Sequence, residues 1–265
     1  MSDSRQTASP SPGALRRRGI LATYVPLGDP ALDHENLLDL YASFSPDVLE
    51  IGLPSADPYL DGPTVRSSMQ RSRNAGWSVC DVIDRVSEWK TQSEHTPHIV
   101  WMCYNDQDLS LLSEAVQRGA IDGLLMVDSN DRTDMEDLDD TMASTSLGMC
   151  DFLGWDTSDS ALERARSCRG YIMAQSRPGV TGAPVGHLAA TRRQSPLLDW
   201  PCPVVSGFGI SGRDDIDAAS RSGHAGVVVG TACVAALTDG IDHLQSYGGR
   251  LRRWVDEAFV ESNES

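Results

Sequence analysis

The chain has 265 residues and a formal net charge of −16, from 38 acidic against 22 basic side chains. That balance argues against a general nucleic-acid binder, which presents a basic surface, and no apolar run approaches the ~20 residues of a membrane span. It leaves room for an anionic substrate, because a few backbone N–H groups at a helix start can hold a phosphate locally.

In chain order, residues 1–18 are rich in Ser, Pro and Arg and carry no periodic pattern, so they are expected to form a mobile tail. "RRRGILATYVPLGD" faintly mimics a signal peptide, but Pro26, Gly28 and Asp29 cut the apolar stretch short and no small-residue cleavage site follows. A cytoplasmic location is the expectation. Short apolar runs then alternate with longer amphipathic ones. The strand candidates are 20–25, 47–53, 98–103, 122–127, 148–153, 170–174, 203–206 and 225–230. Helix-like stretches such as "HENLLDLYAS", "SLLSEAVQRG", "DSALERARSC" and "DDIDAASRSG" follow them. Such alternation implies parallel crossovers, hence a doubly wound sheet or a barrel. Eight strand–helix units over residues 19–265 fit a single-domain α/β (β/α)8 TIM barrel better. Functional residues are then expected just after each apolar run, at the carboxyl ends of the strands.

Two carboxylates stand out there. Glu50 lies in a strand among Val48, Leu49, Ile51 and Leu53, and Asp61 follows in the long loop "PSADPYLDGP". An acid pointing into a barrel is desolvated, which raises its pKa and makes it a usable proton donor and acceptor near neutrality. The plainer alternative is a Glu50 that points outward between helices or pairs with an Arg. Alternation within one strand does not decide between them.

Late in the chain, "GFGISG" follows one strand, and Gly230 and Thr231 open a helix after the next. Alone, the first could be a dinucleotide fingerprint. Only one further strand–helix unit follows, so two adjacent glycine-containing strand ends are read instead as the phosphate site of a barrel. "SRPGVTGAP" (176–184) has the composition of a mobile lid, or of an ordinary glycine-containing loop.

The remaining features are bland. The six cysteines are scattered without a C-x-x-C pair, so zinc and a disulfide framework are not expected and the thiols read as buried. His95 and His98 flank a strand, and "DSNDRTDMEDLDD" (128–140) looks like the start and solvent face of a helix. No Ser-His-Asp grouping, G-x-S-x-G elbow or P-loop occurs.

Taken in order and spacing, "YVPLGDP", "LEIGLPSADPYLDGPTVRSS", "SRPGVTGA", "GFGIS" and "GVVVGTA" resemble the tryptophan synthase alpha subunit family from about Tyr24 to Ala235. The resemblance implies a barrel that cleaves indole-3-glycerol phosphate into indole and glyceraldehyde 3-phosphate, a carbon–carbon lyase without a cofactor. It places Glu50 on the general acid/base and Asp61 on the acid that contacts the indole N–H. Gly182, Gly209, Gly230 and Thr231 fall on phosphate-cradling positions. Thr181 falls on the lid residue that hydrogen-bonds the catalytic aspartate, with Arg177 in the same lid stretch. Tyr24, Cys103, Met173 and Phe208 fall at the pocket, and Asp57 and Pro58 lie on the loop that meets a beta subunit. The chemistry needs Glu50 protonated and Asp61 ionised, which suggests one dry and one wetter environment.

The chain also departs from the family pattern. Met173 stands where an aromatic is usual, and the usual Tyr of the third strand corresponds to Cys103, with Tyr104 beside it. The loop "YNDQDLS" is short, "VDSND" lacks the usual Pro, and Gly154 and Trp155 replace a Pro-rich turn. The expectation is a retained acid pair and phosphate cradle inside rebuilt walls, in primary tryptophan synthesis or a specialised indole pathway. Two other classes compete: a regulatory subunit that activates a beta-type partner, and an oxidoreductase using "GFGISG".

Overall fold

The structure is a computed structural model that describes residues 15, 18–127, 134–176, 178–181 and 200–259. Eight strands, β1 (Ile20–Val25), β2 (Val48–Gly52), β3 (His98–Cys103), β4 (Gly123–Met126), β5 (Gly148–Leu153), β6 (Ile172–Gln175), β7 (Val204–Gly207) and β8 (Gly226–Val229), pair in sequence order, all parallel. β8 returns to β1 in the register Ile20↔Gly226 to Thr23↔Val229, so the sheet closes into a barrel. All eight expected strands are present, shifted by no more than two residues at their ends.

Helices α1 (Leu37–Ala42), α4 (Leu112–Gln117), α5 (Met135–Met142), α6 (Asp159–Ala165) and α7 (Arg213–Arg221) each follow one strand. β2 is followed by two, α2 (Pro63–Asn74) and α3 (Val79–Gln92), and β8 by α8 (Thr231–Thr238) and α9 (Ile241–Ala258). Local chemistry sets several starts. Pro63 occupies the first turn of α2, where its missing N–H is no loss. Ser78 and Asp81 form a capping box at α3, and Asp215 accepts from the Ser211 and Gly212 amides at 2.9 and 3.2 Å ahead of α7.

The core has two layers, and the strand pleat sorts residues between them. Leu21, Leu49, Ile51, Ile99, Trp101 and Val227 pack outward, against the helices. Ile20, Ala22, Val48, Val100, Met102 and Val228 pack inside the barrel. In β2 the shell positions are Leu49 and Ile51, so Glu50 between them must face the interior. Five of the cysteines are buried, but Cys80 on α3 is exposed, contrary to the reading of all six as buried. Across the amino-terminal mouth, Arg252 of α9 reaches Asp47 and the Gly19 carbonyl, both at 2.8 Å, tying the last helix to the first two strands.

The seam between β1 and β8 is tight. A Cβ built on Gly226 would fall 2.6 Å from Ile20 Cβ and closer still to the Ile20 carbonyl oxygen, which is fixed in the sheet. Gly226→Ala is therefore expected to lower stability by about 2–3 kcal/mol through overpacking, measured as a reduced urea midpoint with an unchanged slope.

Candidate active site

A cavity of about 320 Å³ opens at the carboxyl ends of the strands. Both acids singled out in the sequence line it, together with Tyr24, Met173, Phe208, Gly209, Gly230, Thr231 and Thr181. Arg177 and Gly182 lie outside the described residues.

Glu50 is 1% exposed, and its Oε1 accepts a hydrogen bond from the Tyr171 hydroxyl, itself fully buried. Burial pushes the Glu50 carboxyl up to about 7; the negative charge of Asp61 adds to the rise and the Tyr171 hydrogen bond opposes it. Asp61 is 4% exposed. Tyr104 Oη donates to its Oδ2 at 2.7 Å and Thr181 Oγ1 to its Oδ1 at 3.1 Å. Burial raises this carboxyl too, while the bonds from Tyr104 and Thr181 and the charge of Arg66 pull it down. The expectation of a dry acid and a wetter one is corrected: both are buried. What separates them is donors, two hydroxyls and a nearby guanidinium for Asp61 against one phenol for Glu50.

The loop carrying Asp61 is braced from several sides. Its amide donates to the Pro58 carbonyl at 3.0 Å, and Arg66 on α2 donates to the carbonyls of Pro58 and Tyr59 at 3.1 and 2.8 Å. Tyr59 stands edge-on to Tyr104, with ring centroids 5.5 Å apart. Asp106 accepts from the Ala56 amide at 2.6 Å, joining this loop to the turn after β3. Thr181 docks on the same loop: its amide donates to the Leu60 carbonyl at 2.9 Å, and its hydroxyl accepts from the Gly62 amide at 2.8 Å. A Cβ on Gly62 would overlap the Thr181 carbonyl, so only glycine permits this approach.

At the opposite end, Phe208 and Gly209 both adopt left-handed backbone, with φ of +68° and +76°. They turn the chain after β7 beside the start of α8, where Thr231 Oγ1 is buried without a partner. Among the described residues no Lys or Arg lines the cavity. An anion here would be held by backbone N–H groups and a hydroxyl at a helix start.

Cys103 does not line the cavity. It packs in the outer shell, because the pleat turns Met102 and Tyr104 inward. The third-strand wall residues are these two. Tyr171 was also missed, although "GYIMA" carries the signal: Tyr171 and Met173 are two apart and so share a face. Gly154 and Trp155 are absent from the lining. The Trp155 amide instead donates to Gln175 at 2.8 Å, tying the β5 and β6 ends together.

Fold and cavity together define a (β/α)8 enzyme-type barrel with a buried acid pair facing a polar helix start. Comparison with known proteins gives the family. A sequence profile described as "Tryptophan synthase alpha chain" matches residues 14–258. The chain is 31% identical over 259 residues to the tryptophan synthase alpha chain of Xanthomonas oryzae pv. oryzae, covering 91% of this chain and 94% of that one. It is 32% identical over 243 residues to that of Xanthomonas campestris pv. campestris, covering 86% and 87%. Among solved structures, a mutant tryptophan synthase alpha-subunit from Pyrococcus furiosus superposes with a TM-score of 0.74 at 23% identity, over 92% of this chain and 99% of that one. A tryptophan synthase structure from Mycobacterium tuberculosis gives 0.72 at 24%, over 90% and 93%. The structural matches carry the fold, and the sequence matches carry the family. The chain belongs to the tryptophan synthase alpha chain family.

The raised Glu50 pKa has a consequence for stability. Between the ordinary value of 4.5 and about 7 the folded chain holds a proton that the unfolded chain releases, so this contribution falls as pH rises through that window and stays low above it. Glu50→Gln removes the titration. The variant is expected to match the parent near pH 4.5 and exceed it by up to about 3 kcal/mol at pH 8, read from urea denaturation at both pH values.

Proposed function

We propose that this chain cleaves indole-3-glycerol phosphate by retro-aldol chemistry into indole and glyceraldehyde 3-phosphate, with Glu50 and Asp61 as the two working acids. The observation that carries this reading is the pair itself: two carboxylates from different elements on one cavity, of which Glu50 is pushed up to about 7. A phosphate rests against the strand ends at Gly209, Gly230 and Thr231, with Gly182 assigned to the same cradle from the family pattern. The indole ring lies among the apolar side chains Met102, Val127, Met173 and Phe208.

Breaking the bond between indole C3 and the glycerol chain requires a proton on C3, a poor base. Neutral Glu50 delivers it. Positive charge then spreads to the ring nitrogen, where ionised Asp61 stabilises it in a site already oriented by Tyr104 and Thr181. Glu50, now a carboxylate held by Tyr171, takes the proton of the neighbouring side-chain hydroxyl. The carbon–carbon electrons return to the ring, and the aldehyde and indole separate. Thr181 bonded to the loop keeps water from the reacting carbon.

Glu50→Gln is expected to lower indole release by 10²–10⁴-fold, and Asp61→Asn by about 10²-fold, in a colorimetric indole assay. Because C3 protonation needs the neutral acid, kcat/KM should fall as pH rises through about 7. Tyr171→Phe removes a bond that favours the anion, so the falling limb should move to higher pH. A limb that stays in place, or moves down, would overturn the assignment to Glu50.

The same family reading gives the chain a tryptophan synthase beta chain as partner and a cytoplasmic location, in keeping with the absence, among the described residues, of any helix long and apolar enough to cross a membrane. The loop at Asp57 and Pro58, with Tyr59 exposed beside it, supplies the contact. A beta chain added to the purified protein is expected to co-elute on gel filtration and to change the rate of indole release. An Asp57→Ala variant should weaken co-elution while leaving unassisted indole release within about twofold, since the exposed Asp57 side chain does not line the cavity.

A further inference from the structure

Two thiols at the other end of the barrel have no part in this chemistry. Cys168, in the turn after α6, and Cys202, just before β7, are 6% and 5% exposed, and the Cys202 thiol points at the Cys168 sulfur at 2.8 Å. That is closer than two sulfurs ordinarily approach without bonding, and within about 0.8 Å of a disulfide bond length. The Cys168 thiol also faces the Met149 carbonyl at 3.7 Å. The surroundings are the small apolar cluster of Leu153, Ala161, Ala165, Ile172, Ala174 and Val204, with Cys150 and the carboxylate of Asp151 near enough to act on Cys168.

Burial alone would leave such a pair inert, but one sulfur has a route to solvent. A cleft of about 200 Å³ between α5, β5 and α6 is lined by Met149, Cys150, Asp151, Arg164 and Cys168. It admits a molecule of a few atoms to the Cys168 side of the pair. Cys202 does not line it.

We propose that Cys168 and Cys202 are a redox modification site, joined as an intramolecular disulfide when a small peroxide enters this cleft. The steps balance. Cys168 gives up its proton and its sulfur attacks one peroxide oxygen, breaking the O–O bond; the departing oxygen takes up the proton, and with hydrogen peroxide it leaves as water. The resulting sulfenic acid meets the Cys202 thiol, whose sulfur forms the S–S bond while the hydroxyl leaves with the thiol proton as a second water. Two thiols are oxidised by two electrons and one peroxide is reduced. The Cys202 thiol and burial both hold the Cys168 proton tightly, so the reaction runs over minutes to hours and not at the rate of an exposed sensor thiol. The bond ties the turn after α6 to the lead-in of β7, across the strand pair β6–β7, at the opposite end from the cavity.

The test uses the full chain carrying Cys80→Ser, which removes the one exposed thiol. Native protein is treated with hydrogen peroxide, then denatured and alkylated with and without prior reduction. The expected result is a mass 2 Da below the untreated chain before alkylation, loss of two of the five remaining alkylatable thiols, and recovery of both on reduction. Proteolysis should yield one linked species joining the peptides of Cys168 and Cys202, and Tm should rise by about 5 °C under non-reducing conditions. Adding Cys202→Ser should abolish the mass loss and the Tm rise together. Five thiols that remain alkylatable, oxygen additions of 16 or 32 Da in place of the 2 Da loss, or a bond that joins Cys150 instead would each overturn the proposal. Because the readouts are mass and melting, they stand apart from the lyase assignment.

Discussion

The inward aim of one side chain, Glu50, organises the rest of this molecule. Leu49 and Ile51 are both fully buried in the shell between barrel and helices. The pleat then leaves the residue between them only the interior. A carboxylate in that position loses its water, and the structure around it reads as a response to that loss. Tyr171 on the far side of the barrel supplies a hydroxyl, and the cavity gives the proton somewhere useful to go. Replacing either shell neighbour with a polar residue would weaken the force that holds the acid inside, although neither touches the cavity.

The second acid depends on a different kind of order. Asp61 is not in a strand, so no pleat fixes it. Its place comes from a loop whose carbonyls are gripped by Arg66 and whose far side is pinned by Thr181 and Tyr104. Hydrogen bonds therefore do for Asp61 what packing does for Glu50. The two acids can respond differently to a perturbation: core substitutions displace the first, and changes in loop or lid chemistry displace the second.

Strand positions and the barrel were legible because each apolar run was bounded by turn residues and the alternation was regular across the whole chain. The acid pair was legible because a charged residue inside an apolar strand breaks a pattern. Assignments that required facing were less secure. Cys103 was placed on the wall by its match to a family position, yet the parity of β3 puts Met102 and Tyr104 there. Tyr171 is not legible in the same way, because a tyrosine in an apolar strand breaks no pattern and its partner lies 121 residues away. The Thr181 bond to Asp61 was legible only through the family resemblance, and the burial of Asp61 was not legible, since it also depends on a third-strand tyrosine distant in the chain. Arg177, Gly182 and the first half of the acidic run 128–140 lie outside the described residues.

The bare α-carbon of Gly62 has an implication for how this chain can diverge. The Thr181 carbonyl rests where a methyl group would stand, so the two segments meet there backbone against backbone, with the Thr181 hydroxyl adding a bond from the Gly62 amide. A contact of this kind cannot be retuned by trimming or enlarging a neighbour. Single substitutions can remodel the cavity wall residue by residue, but the seam between the Asp61 loop and Thr181 changes only in a coordinated step on both sides. Change is thus channelled toward what the site encloses, while the close approach of these two backbones stays fixed.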